Sequence, residues 1–151
     1  MTTISIDFPL TLATFTSGLF AGTCLYAAAV AIPVRNAEAP EVARRNFEQV
    51  IASLARSERM QPALHAASML ALLFAILFRN DVASQMYWAL AFHSPILPLS
   101  LGFSRPVYGR IRSAQGPASA PSIQHDFKTF QYVHAVRTIF ACLGFAALAA
   151  R

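Results

Sequence analysis

Four long apolar stretches, separated by polar and mostly basic connections, organise the chain. The first runs from Phe8 to about Ile32 without a charge. At 1.5 Å per residue it is long enough to cross a hydrocarbon core of about 30 Å. Pro33 and Arg35 end it. A second run covers Gln61 to Phe78, and Arg79-Asn80-Asp81 predicts a tight polar turn after it. The third covers Val82 to about Phe103, with Tyr87 and Trp88 near one end as interfacial anchors and Pro95 and Pro98 bending it. The last, Phe127 to Ala150, alone carries a charge well inside, at Arg137, while Lys128 near its start snorkels to the headgroups. This pattern predicts an all-α chain, a four-helix transmembrane bundle forming a single integral-membrane domain over residues 1–151.

Two connections have patterns of their own. Over Pro40 to Arg59, Phe47, Val50, Ile51 and Leu54 recur at helical spacing while Arg44, Arg45, Glu48 and Arg56 take other faces. An amphipathic helical extension at the membrane surface is expected there, with Pro62 at its join to the second span as a first-turn residue or a kink. Arg105 to Gln124, rich in Ser, Pro, Gly and Arg, reads as a loop. Within the first span, Gly18-Leu19-Phe20-Ala21-Gly22 is a GxxxG pattern that allows another helix to approach closely.

Composition sharpens the membrane reading. Charged residues make up 13% of the 151 and mean hydropathy is +0.47, where a soluble domain carries about 25% charge. Too little polar surface remains to cover a globule in water. The net charge of +5 does not indicate nucleic-acid binding, because the basic residues lie between apolar runs rather than in one patch interleaved with aromatics. Nine of them (Arg35, Arg44, Arg45, Arg56, Arg59, Arg105, Arg110, Arg112 and Lys128) fall on the two long connections, against Arg79 and Arg151 on the other side. The positive-inside rule then puts both long connections in the cytoplasm, or in the matrix of a mitochondrion, with both termini opposite. The first span exceeds a secretory h-region and has no basic residue before it, so an uncleaved helix is expected. Cys24 and Cys142 form no ligand motif and sit at different depths, so they read as packing residues rather than a disulfide.

Polar side chains inside the spans are the candidate chemistry, because burying them in hydrocarbon is costly. Counted from the basic-loop end of each helix, Tyr26 lies about 9 Å in, His65 about 6–7 Å, His134 about 10 Å and Arg137 about 15 Å. All four fall in the inner half. Phe130, His134, Arg137 and Ala141 share one face of the last helix. Taken singly, His65 reads first as a hydrogen-bonded core histidine and Tyr26 as ordinary packing with its hydroxyl satisfied. Arg137 is more demanding, since no span contains a carboxylate to pair with it. Its partner is then a backbone carbonyl, a lipid phosphate, another subunit or an anionic ligand. His93, at mid-depth, and His125, in the expected loop, are weaker signals. No metal-ligand cluster and no Gly-rich dinucleotide motif is present in the sequence.

Gly18-Leu19-Phe20-Ala21-Gly22 followed by Tyr26 and Pro33, with Phe130-Gln131-Tyr132-Val133-His134-Ala135-Val136-Arg137-Thr138, resembles the anthrone-oxygenase-like family of small four-helix membrane proteins. The second segment is similar to that family's Trp-x-x-x-His-x-x-Arg pattern, with Phe130 where Trp is common. Pro98 to Arg110 occupies the place of its proline-containing third-helix motif, with Arg105-Pro106-Val107-Tyr108 lacking the usual Thr-Asn. The resemblance implies a cofactor-independent oxygenase of secondary metabolism that oxidises an aromatic polyketide anthrone to a quinone, with O2 as co-substrate. Such a site needs a base, a donor for the developing oxyanion and an apolar cavity. His134 or His65 would be the base, Arg137 the oxyanion partner and Tyr26 a hydrogen-bond donor. The contrasting expectation is a non-catalytic accessory subunit or lipid-binding element of a larger membrane complex or homo-oligomer, with Gly18, Gly22 and the amphipathic segment as contact surfaces.

Overall fold

The computed structural model describes residues 8–30, 39–78, 84–114 and 121–150. Among these the chain is helical throughout, with no strand. Helix α1 is Phe8–Val30 and α2 is Pro40–Phe78. Helix α3 (Ser84–His93) leads through a turn at Ser94-Pro95 into a short α4 (Ile96–Leu99) and a π-helical segment, Ser100–Ser104. Helices α5 (Arg105–Ser113) and α6 (Pro121–Ala149) complete the order. Among the described residues, three segments are long and apolar enough to cross a membrane: Phe8–Ala29, Met60–Phe78 and Pro121–Ala149.

Helix α1 satisfies three of its threonine hydroxyls within itself. Thr14 and Thr16 donate to the carbonyls of Leu10 and Leu12, each at 2.8 Å, and Thr23 to that of Phe20 at 2.8 Å. This back-bonding lets a threonine-rich helix sit in an apolar setting. Helix α2 is longer than expected. Pro40 and Glu41 suit its first turn, and it then runs unbroken through Pro62, so the amphipathic segment and the second span are one rod. Its 39 residues span about 58 Å, nearly twice a hydrocarbon core. The side chains of Phe47, Val50, Ile51, Leu54 and Arg56 lie outside the described residues, as do Pro33, Arg35, Arg79, Asn80, Asp81 and Arg151.

The stretch expected to be a bent third span is broken in a specific way. Pro95 and Pro98 each remove a backbone donor, and Ser94 and Ser100 return their hydroxyls to the carbonyls of Leu90 (2.6 Å) and Ile96 (2.7 Å). The loop expected from Arg105 to Gln124 is corrected: Arg105–Ser113 is helical, and α6 begins at Pro121 rather than Phe127. Pro106 is accepted because it sits in the first turn of α5. Val107 and Ile111, four apart, bury one face of that helix. His125 accordingly lies on a helix, not in a loop.

Helix α1 packs against α2 and α6, and α3 against α6. The interfaces are built from small residues and a few large ones, which suits helices that gain little from excluding water. One cluster joins Ala13, Leu72, Ala75, Met86, Ala89 and Leu148; the other joins Phe20, Ala21, Cys24, Ile96 and Ala141. Leu77, Phe78, Trp88 and Ile139 face outward, an apolar exterior that water would not tolerate at this extent. Both cysteines are free thiols.

The two glycines of the first span differ. A Cβ on Gly18 would lie 3.0 Å from the Phe145 ring of α6, whereas one on Gly22 would meet nothing within 4 Å. Only Gly18 therefore makes a close interhelical approach. Gly22→Ala is expected to be neutral or to raise stability by up to about 1 kcal/mol through helix propensity. Gly18→Ala should give that gain back by displacing Phe145. Thermal unfolding in detergent compares the two, and a larger loss at Gly22 would contradict this packing.

Candidate functional site

A cleft of about 1310 Å³ opens between α2, the α4–α5 segment and α6. His65, Gln61, Phe130, His134 and Arg137 all lie on its wall. Gln61 and His65 are four residues apart on α2, and Phe130, His134 and Arg137 share a face of α6, so two helices present these groups to one space.

Arg137 finds its partner across this space. Its Nη2 donates to Gln61 Oε1 at 3.2 Å, and Gln61 Nε2 in turn donates to the Thr23 carbonyl at 3.4 Å. Gln61 is 5% exposed. It was not anticipated from the sequence, although its place one turn before His65 on the same face is a signal that could have marked it. The guanidinium is thus tied to α2 through Gln61, and through Gln61 to α1.

The two wall histidines have different environments. His65 Nε2 lies 3.1 Å from the His93 carbonyl. A carbonyl only accepts, so Nε2 carries the proton and, in the neutral ring, Nδ1 holds the lone pair. That carbonyl belongs to the last residue of α3, beside the break at Ser94-Pro95. The break has a function: it supplies a backbone oxygen that sets the tautomer of His65. His134 lies nearly parallel to Phe130, centroids 5.9 Å apart and planes at 11°. Its ring donates toward the Cys24 carbonyl, while its Nε2 is buried and makes no hydrogen bond among the described residues.

His93 is the hidden member of the group. It is fully buried, with Nε2 2.8 Å from Ser17 Oγ. Its ring sits 5.7 Å from that of His65 and 6.0 Å from Phe20, which also packs on His65 at 5.0 Å. Gly144 on α6 makes room for it, since a Cβ there would come within 2.7 Å of the imidazole. A Ser17–His93–His65 arrangement thus links α1, α3 and α2 behind the cleft wall.

Tyr26 does not join this group. It is 53% exposed and absent from the cleft wall, where α1 contributes Ala27 instead. The buried positions of α1, Ala13, Thr16, Ser17, Phe20, Ala21, Cys24 and Ala27, follow the helical repeat. Tyr26 falls one residue off that stripe, which depth along the axis does not reveal. The structure therefore brings together His65, His134 and Arg137 of the four expected residues. Among the described residues no three His, Cys, Asp or Glu side chains converge to hold a metal ion. Comparison with family models, with curated proteins and with solved structures finds no match.

Proposed function

We propose that the chain is a four-helix transmembrane bundle whose cleft oxidises an anthrone-like phenolic polyketide to a quinone with O2 and no bound cofactor. The fourth crossing in this reading is the interrupted segment from Ser84 to Ser104, which at 1.5 Å per residue reaches about 31 Å. The two basic connections face the cytoplasm or matrix by the positive-inside rule. The single observation that carries the functional reading is one cleft wall bearing an imidazole with a defined lone pair (His65), a guanidinium hydrogen-bonded to Gln61 (Arg137) and an aromatic face (Phe130).

The chemistry needs little more. The base removes a proton from the acidic benzylic CH2, giving a resonance-stabilised anion whose charge rests largely on oxygen. Arg137 stabilises that oxyanion. The carbanion carbon reacts with O2 to form a C–O bond, and the resulting peroxide takes a proton. Loss of the second C–H proton with cleavage of the O–O bond leaves C=O and releases water. One O2 is consumed, one oxygen atom is retained, and no external reductant is needed.

The test is oxygen uptake by purified protein in detergent supplied with an anthrone. Uptake above the spontaneous rate, with quinone and water formed in equal amounts, is the expected result. No acceleration across several anthrones removes the enzyme reading and favours the accessory or lipid-binding one.

A further inference from the structure

The outer part of the same cleft carries a feature the oxidation does not use. Helix α5 is fixed in rotation by two contacts on α6. Val107 and Ile111 are each 3% exposed, and Arg110 grips Asp126 through Nη2–Oδ1 at 2.6 Å and Nε–Oδ2 at 3.0 Å. That two-point hydrogen bonding raises the Arg110 pKa further above its ordinary value. With those faces committed, Arg105, Tyr108 and Arg112 turn to the cleft wall. Their spacing of three and four residues keeps them on one stripe.

Arg105 and Arg112 make no hydrogen bond or ion pair among the described residues. Arg44, across the cleft, is already engaged with the Ala114 carbonyl at 2.6 Å and, at 3.9 Å, with Glu48, the one acid on the wall among the described residues. The cleft thus has an excess of positive charge at one end. At the other its wall is Met69, Leu70, Leu97 and Leu101. Leu101 and Leu97 lie one and two turns before Arg105 on the same helical run, so the wall changes from charged to apolar along that run.

We infer that this cleft binds an amphiphile with an anionic head, a carboxylate or a phosphate, seated at Arg105 and Arg112 with its apolar body running toward Met69 and Leu101. Two guanidiniums on one stripe are suited to an oxyanion, which takes charge-assisted hydrogen bonds from each. The volume admits a lipid-sized molecule, being larger than the roughly 300–1,000 Å³ of ordinary small-molecule sites. This binding is independent of the oxygenase reading and holds even for a protein that oxidises nothing.

The test is fluorescence titration of the purified full chain in an uncharged maltoside detergent with cis-parinaric acid. Saturable binding of one molecule per chain is expected. The methyl ester of the probe, on the unaltered protein, should bind about 10-fold or more weakly. Arg105→Gln with Arg112→Gln should weaken the acid by a similar factor and leave the ester unchanged. Ala66→Phe, which narrows the cleft without touching charge, should weaken both. Displacement by phosphatidic acid but not phosphatidylcholine marks a membrane lipid as the source of the head, and displacement by free fatty acids alone marks a soluble carboxylate. Equal binding of acid and ester overturns the proposal. So does an unchanged affinity in the arginine variant, or a loss in that variant with none in Ala66→Phe, which would place the probe on the outer surface.

Discussion

Gly144→Ala is expected to destabilise the protein by on the order of 2–4 kcal/mol, from overpacking and a broken buried hydrogen bond together. The added methyl would come within 2.7 Å of both Cδ2 and Nε2 of His93. The His93 ring is fully buried and has no exposed side to turn toward. Its Nε2 is also the atom that meets Ser17 Oγ at 2.8 Å, so any shift that relieves the contact strains that bond. Helix propensity acts in the opposite direction but contributes only about 1 kcal/mol. A double-mutant cycle isolates the cause. With His93→Ala in place, the methyl of Gly144→Ala enters vacated space and should cost nothing further. Thermal unfolding in detergent measures each corner. An equal penalty for Gly144→Ala in both backgrounds would mean that the glycine serves the helix backbone and not the imidazole.

This contact shows where sequence reading reached its limit. Length and hydropathy were sufficient to place the apolar helices, because a stretch such as Phe8–Val30 without charge has few alternatives. The facing of α6 was also legible, since Phe130, His134 and Arg137 recur at helical spacing and do share the cleft wall. Rotation about the helix axis was not legible. Tyr26 is exposed, and a Cβ on Gly22, which repeats the spacing of Gly18, would meet nothing within 4 Å. Rotation depends on which stripe packs, a property of pairs of helices. His93 was undervalued for the same reason, because its importance comes from Ser17, Gly144 and His65 on three other helices. The helix at Arg105–Ser113 was missed because its Pro, Gly and Ser residues are turn formers. The Val107/Ile111 pair and the Arg110–Asp126 bridge outweigh those local preferences.

The histidines separate most sharply in the rate of oxygen uptake. His65→Ala should lower kcat with an anthrone by about 100-fold or more, within the range lost when a positioned general base is removed. His134→Ala should lower it by less than about 10-fold. Both rings lie on the cleft wall, so proximity alone does not rank them. The ranking comes from their nitrogens. His65 donates its Nε2 proton to the His93 carbonyl and keeps the Nδ1 lone pair, whereas the Nε2 of His134 is buried without a hydrogen bond among the described residues and its ring stacks on Phe130. His134 then acts chiefly as part of the aromatic wall, and its loss should raise KM more than it lowers kcat. Added imidazole should restore part of the rate in His65→Ala, because the vacated volume adjoins the cleft, and should leave His134→Ala unchanged. A structural role for His65 would show as lowered thermal stability with no such rescue. If His134→Ala instead proves the more damaging for kcat, the base is His134, and the backbone oxygen at the α3 break positions a bystander.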